Sequence, residues 1–254
     1  MNAYYIKLRD FNRKWLLLLI VLFAAWSLPA YAQDSLRTEL KWYETKSVRN
    51  FAAPVALTAL GLYVHQQDAL INRFEVQENI TRRHPGFESN LDDFLRYIPP
   101  ATVFFLDAIG QRGKHKASRQ ALFFVKANII AMALVFPLKG ITKVRRPDDS
   151  SSASFPSLHT AQAFLGATFL HKEFGHLSPW YSIGGYAMAA LTGYYRMLNN
   201  KHWFSDVLVG AAAGILSTNL AYLIKRKNKK LSERKWLIVP TYNHGPALTM
   251  HLKL

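Results

Sequence analysis

Lys139, Arg146, Arg196, His159, His202 and Asp206 are the residues of this 254-residue chain whose types and spacing can do chemistry. They fall in three segments: Lys139-Gly-Ile-Thr-Lys-Val-Arg-Arg146-Pro147, Pro156-Ser157-Leu158-His159, and Arg196-Met-Leu-Asn-Asn-Lys-His202-Trp-Phe-Ser-Asp206. Each sits at the end of an apolar run, where a membrane-buried fold would place a polar site. Arg146 and Arg196 offer planar forks for bidentate phosphate contacts, and Lys139 adds a compact charge. His202 and Asp206 are four residues apart, so on a helix they share a face and the carboxylate orients the imidazole. Neutral His202 is the candidate nucleophile toward phosphorus, with Asp206 stabilising the resulting cationic phosphohistidine. His159 is the candidate general acid for the leaving alkoxide, and later the base that activates water. Ser154 or Pro156 opens a helix, so backbone amides near Ser157 and Leu158 point at an anion with the helix dipole behind them. Taken singly, Arg-Pro is a helix terminator, Pro-Ser-x-His a helix start, and Arg196 or His202 an interfacial side chain. Taken together, the residues make a phosphate-transfer site that needs no metal and no cofactor.

Such a site requires elements that bring three distant segments to one place. Five apolar runs read as membrane helices: 94–109, 121–138, 158–170, 180–198 and 203–224. Several are shorter than the roughly 20 residues of a full span. A sixth run, 52–64, reads as an amphipathic or partly embedded helix. The fold expected is all-α, a multispanning bundle of about five to six membrane helices with a short β-hairpin-like C-terminal tail. Gly184, Gly185, Gly193, Gly210 and Gly214 with neighbouring alanines allow close helix contact in lipid. Pro147 and the Asp/Ser-rich stretch 148–154 form a loop free to bring the first two segments together.

The mean hydropathy of −0.02 is low for a membrane protein although 50% of residues are hydrophobic. Polar stretches at 33–50 and 72–96 and a basic tail account for the difference. A net charge of +16 raises nucleic acid as a partner, but Lys and Arg gather at the ends of apolar runs, which suits anionic lipid headgroups instead. No cysteine is present, which excludes disulfides and thiolate metal sites. Residues 1–32 read as a signal peptide ending at Ala32. Residues 33–93 follow as a periplasmic or interfacial segment, 94–224 as the helix-bundle core, and 225–254 as a basic tail and hairpin. Basic clusters at 112–119 and 225–230 belong in the cytoplasm by the positive-inside rule. Counting helices back from the tail puts all three motifs on the opposite, periplasmic face. Residues 236–242 and 247–254 read as two short strands around the turn Asn243-His-Gly-Pro246.

The three segments resemble the signature of the type 2 phosphatidic acid phosphatase superfamily: Lys-six-Arg-Pro, then Pro-Ser-Gly-His, then Ser-Arg-five-His-three-Asp. The resemblance covers about residues 94–224 and is strongest with bacterial envelope members acting on lipid phosphates. It implies a helical bundle in the inner membrane with the site at the outer membrane–water boundary, a phosphohistidine intermediate, and no metal. By resemblance Lys139, Arg146 and Arg196 bind phosphate, Ser157 and the Leu158 amide assist, His159 is the acid, and His202 with Asp206 is the nucleophilic pair. Two positions depart from the signature: Leu158 stands where the family has glycine, and Tyr195 where it has serine. Leu158 is expected to add bulk beside the acid. A soluble acid phosphatase or haloperoxidase relative, and a catalytically weak headgroup-binding membrane protein, are the alternative readings.

Overall fold

The computed structural model describes residues 45–224, 236–242 and 246–252. The chain divides into two compact units, Met1–Val48 and Arg49–Leu254, and every site residue lies in the second. The expected signal segment and basic tail at 225–230 lie outside the described residues.

Among the described residues, eight helices precede a pair of strands: α1 (Lys46–Val64), α2 (Arg73–Arg83), α3 (Leu91–Leu95), α4 (Ile98–Ala108), α5 (Ala117–Thr142), α6 (Leu158–Phe174), α7 (Pro179–Leu198) and α8 (Phe204–Leu223). The polar stretch 72–96 is therefore largely helical. Asn72 accepts bonds from the Phe74 and Glu75 amides, and Arg82 and Arg83 sit in the last turn of α2, where cations complement the helix dipole. β1 (Trp236–Tyr242) and β2 (Pro246–Leu252) pair antiparallel, Trp236 opposite Leu252.

Helix α6 is the hub, with α4, α5, α7 and α8 packed on it. Its contact with α8 is unusually close because α8 carries glycine where α6 crosses. A Cβ on Gly214 would lie 2.2 Å from the Ala161 carbonyl oxygen, and one on Gly210 would lie 2.5 Å from that of Ser157. The expected use of small residues for helix contact is thus seen at the helix that begins with the second motif. Val103, Leu106, Phe169, Leu170 and Phe174 pack together at the other end of α6, beside a buried Glu173 that accepts from the Tyr222 hydroxyl and the His115 amide.

Helices α5 and α8 are long and apolar enough to cross a membrane, with mean hydropathies of 2.1 and 1.4 over their best windows. Only 17% of that window is buried in α5, against 67% in α8. Val125, Ile129, Met132 and Phe136 accordingly stand exposed along α5, an apolar face that suits lipid, whereas α8 runs through the interior.

Candidate active site

The turn between α7 and α8 joins the third motif. Asn200 takes a left-handed conformation at φ 59°, which asparagine tolerates, and the Lys201 and His202 amides both return to the Arg196 carbonyl. The reversal places His202 beside the first turn of α8, where Asp206 sits. The His202 ring is 1% exposed. Its Nδ1 faces Ser154 Oγ at 3.3 Å and Asp206 Oδ2 at 3.5 Å, and Nε2 has no partner among the described residues. Asp206 is itself held: Ser154 Oγ donates to Oδ2 at 2.5 Å, the Trp203 amide donates to the same atom at 3.0 Å, and Ser205 Oγ donates to Oδ1 at 3.4 Å. Burial pushes the His202 imidazole down to about 4; the bond and charge of Asp206 oppose this, and the nearby positive charges of Arg196 and Lys139 add to it. The ring is therefore neutral near neutral pH, and Nε2 carries an available lone pair.

Lys139, in the last turn of α5, anchors the loop between the first two motifs. Its Nζ donates to the carbonyls of Ala153 at 2.5 Å and Ser154 at 3.1 Å, while Thr142 Oγ1 donates to that of Phe155 at 3.3 Å. These bonds fix Ser154 against Asp206. Among the described residues, neither the buried Nε of Arg146 nor that of Arg196 has a partner. Arg196 is committed on one side only, with Nη1 donating to Asp92 Oδ2 at 2.7 Å. The structure brings these cations together: Arg146 and Arg196 lie within electrostatic range of Lys139, and both Lys139 and Arg196 of His202.

Helix α6 begins at Leu158, with Ser157 as its cap. Ser157 Oγ is fully buried and accepts from Thr160 Oγ1 at 3.0 Å and the Thr160 amide at 3.4 Å. The Ser157 amide is bound to the Asp206 carbonyl at 3.0 Å, so of the amides expected to face an anion, Leu158 and His159 are the ones without a partner among the described residues. The Leu158 side chain packs against Val135, Ala161 and Ala213. The expected bulk beside the acid is therefore absent: the isobutyl group fills the α5–α6–α8 contact, where an apolar side chain gains by burial. His159 is half-buried, and its Nε2 meets Asp93 Oδ1 at 2.9 Å.

Three contributors escaped the sequence reading as site residues. Ser154 was legible only as a helix opener, and Asp92 and Asp93 carry no local pattern, lying 104 and 66 positions from the groups they meet. A cleft of about 620 Å³ opens beside Asp92, Asp93 and Arg196, lined also by polar groups that include Asn90, Asn199 and Lys201.

Residues 120–230, which hold all three motifs, match the PAP2 superfamily. One relative is a lipid A 1-phosphatase of Porphyromonas gingivalis, 38% identical over 159 residues, a match covering 59% of this chain and 35% of the relative. The chain thus spans about a third of that protein's length. Two solved structures are also similar: LpxE of Aquifex aeolicus (24% identity, TM-score 0.44, covering 57% of this chain and 93% of that one) and a transmembrane PAP2-type phosphatidylglycerolphosphate phosphatase of Bacillus subtilis (24% identity, TM-score 0.40, covering 84% and 97%).

Proposed function

We propose that this chain is a bacterial membrane phosphatase that hydrolyses a lipid phosphate monoester or pyrophosphate through a phosphohistidine, without a metal ion. The observation that carries the reading is a neutral, buried His202 with Nδ1 turned to Ser154 and Asp206, Nε2 without a partner among the described residues, and the charges of Arg196 and Lys139 close by. Arg146, Arg196 and Lys139 hold the equatorial phosphoryl oxygens, helped by the Leu158 and His159 amides at the start of α6. His202 Nε2 attacks phosphorus, and His159 gives a proton to the alkoxide as the P–O bond breaks. Asp206 and Ser154 stabilise the cationic ring. In the second half His159 takes a proton from water, the P–N bond breaks, and inorganic phosphate leaves.

The exposed apolar face of α5 and the basic cluster at 112–119 support insertion in the inner membrane with the site facing the periplasm, and a bundle of five to six membrane helices. The gathering of Lys and Arg at the ends of apolar runs favours anionic lipid over nucleic acid as the partner. The polar cleft beside Arg196, together with the similarity to a lipid A 1-phosphatase, favours lipid A over phosphatidic acid or a polyprenyl pyrophosphate as the substrate. With Leu158 directed into the core, the main motive for a weakly catalytic headgroup binder falls away.

The test is phosphate release by purified protein in detergent, in excess chelator, from a panel of lipid A, phosphatidic acid, phosphatidylglycerol phosphate and undecaprenyl pyrophosphate. Release from lipid A that survives chelation is expected. Strict dependence on a divalent ion, or no release from any lipid, overturns the proposal.

A further inference from the structure

Helix α3 presents two successive carboxylates, and each meets a different charged group of the site. Asp92 is 1% exposed; it accepts from Arg196 at 2.7 Å and from the Asn199 side-chain amide at 2.9 Å. Asn199 in turn clamps the segment leading into α3, donating to the Ser89 carbonyl at 2.7 Å and accepting from the Ser89 amide at 2.9 Å. The segment is thus pinned to the end of α7, which fixes where the next residue, Asp93, points. Asp93 Oδ1 meets His159 Nε2 at 2.9 Å and Arg96 Nη2 at 3.5 Å, and Arg96 also donates to Gln162 Oε1 on α6 at 3.1 Å. The second carboxylate is therefore tied to α6 twice, directly by His159 and through Arg96 to Gln162. The bond from His159 holds the Asp93 carboxyl below the usual carboxylate range, so it is an anion at neutral pH.

The two histidines are then arranged as mirror cases. His202 turns Nδ1 to its carboxylate and keeps Nε2 free, whereas His159 turns Nε2 to Asp93 and has no partner at Nδ1 among the described residues. A carboxylate on one ring nitrogen fixes the tautomer and stabilises the imidazolium. At His159 burial and the positive charges of Arg196 and Arg96 oppose that cation, and the bond and charge of Asp93 are what favour it. Asp93 lies outside residues 120–230, the part that matches the family, and is contributed by a stretch that reads as an unpatterned polar segment.

We propose that Asp93 is the positioning residue of His159, keeping a proton on Nε2 so that Nδ1 is the atom that exchanges protons with the substrate. The inference rests on His159 being the general acid of the reaction proposed above. In the first half-reaction the imidazolium gives its Nδ1 proton to the alkoxide oxygen as the P–O bond breaks, and the neutral ring keeps Nε2–H on Asp93. In the second half-reaction Nδ1 takes a proton from the attacking water as the P–N bond breaks, which restores the imidazolium.

The test compares wild type, Asp93→Asn, Asp93→Glu, His159→Ala and the double variant Asp93→Asn/His159→Ala, measuring kcat and KM against pH in detergent with the best lipid of the panel. Asp93 is half-exposed and asparagine is isosteric, so the fold is kept. Asp93→Asn should lower kcat about tenfold or more with KM within about threefold, a part of what a positioned acid contributes. The alkaline limb of kcat should move down by about one pH unit, because removing the neighbouring negative charge makes the imidazolium a stronger acid. Asp93→Glu should recover most of the loss, and in the His159→Ala background Asp93→Asn should cost less than about twofold. An equal loss in both backgrounds, or a raised KM with an unmoved alkaline limb, overturns the inference. Inactivity of wild type on every lipid instead refutes the function on which it rests.

Discussion

Replacing Ser154 by alanine should impair catalysis nearly as much as damaging Asp206 itself. Ser154 Oγ is the shortest contact of the Asp206 carboxylate, at 2.5 Å, and it also stands 3.3 Å from His202 Nδ1, closer than the 3.5 Å from that nitrogen to the carboxylate. The serine is fully buried, so no water takes its place without first opening the loop that Lys139 anchors. A hydrogen bond to a charged group contributes about 1.5–3 kcal/mol. If the whole of that is expressed when His202 becomes cationic, kcat falls by about 10- to 150-fold, at 1.4 kcal/mol per factor of ten. The Trp203 amide still holds Oδ2 at 3.0 Å, so the lower half of that range is expected. The assay is phosphate release under saturating lipid for Ser154→Ala, Asp206→Asn and the double variant. Because both act through one imidazole, the double variant should be little worse than Asp206→Asn alone. Full activity in Ser154→Ala, or strictly multiplicative losses, would refute the reasoning.

Burial holds His202 near 4 rather than its ordinary 6.5, so the acid limb of kcat/KM that reports this ring should lie well below pH 6. The unfolded chain takes up the proton near 6.5, so the stability due to the neutral ring is complete above that pH and lost as pH falls toward 4; pH-dependent melting in detergent reads it. Gly214→Ala should force α6 and α8 apart, since the new Cβ would lie 2.2 Å from the Ala161 oxygen, costing about 1–3 kcal/mol of stability and most of the activity. Leu158→Gly should lose about 2 kcal/mol of stability through missing contacts with Val135, Ala161 and Ala213, with turnover changed less than about threefold; a gain in turnover at unchanged stability would mean that the side chain faces the site after all.

The chemistry of the three motifs was legible because residue type and spacing carry it. The three cations were legible for the same reason, each ending an apolar run. His202, however, precedes α8, so it is the turn after Arg196 and not a shared helix face that brings it to Asp206. What the sequence hid is long-range. Asp92 reaches Arg196 and Asp93 reaches His159 only because Asn199 pins the α3 segment to α7, and no local periodicity encodes that contact. Leu158 was misjudged because its neighbour in sequence is the acid, whereas its helical position turns it toward α5 and α8. Ser157 was read as facing an anion, yet its hydroxyl and amide serve Thr160 and Asp206. Helix α2 had a readable start at Asn72, but its polar composition hid it among loops.

The account stands on His202 as the nucleophile. Wild type mixed with phosphate-labelled lipid and quenched in denaturant within milliseconds should carry an acid-labile, base-stable phosphoryl group that maps to His202. The label should be absent from His202→Ala. A phosphoenzyme that persists in His202→Ala, or phosphate release by wild type with no trapped intermediate at any quench time, would contradict the account.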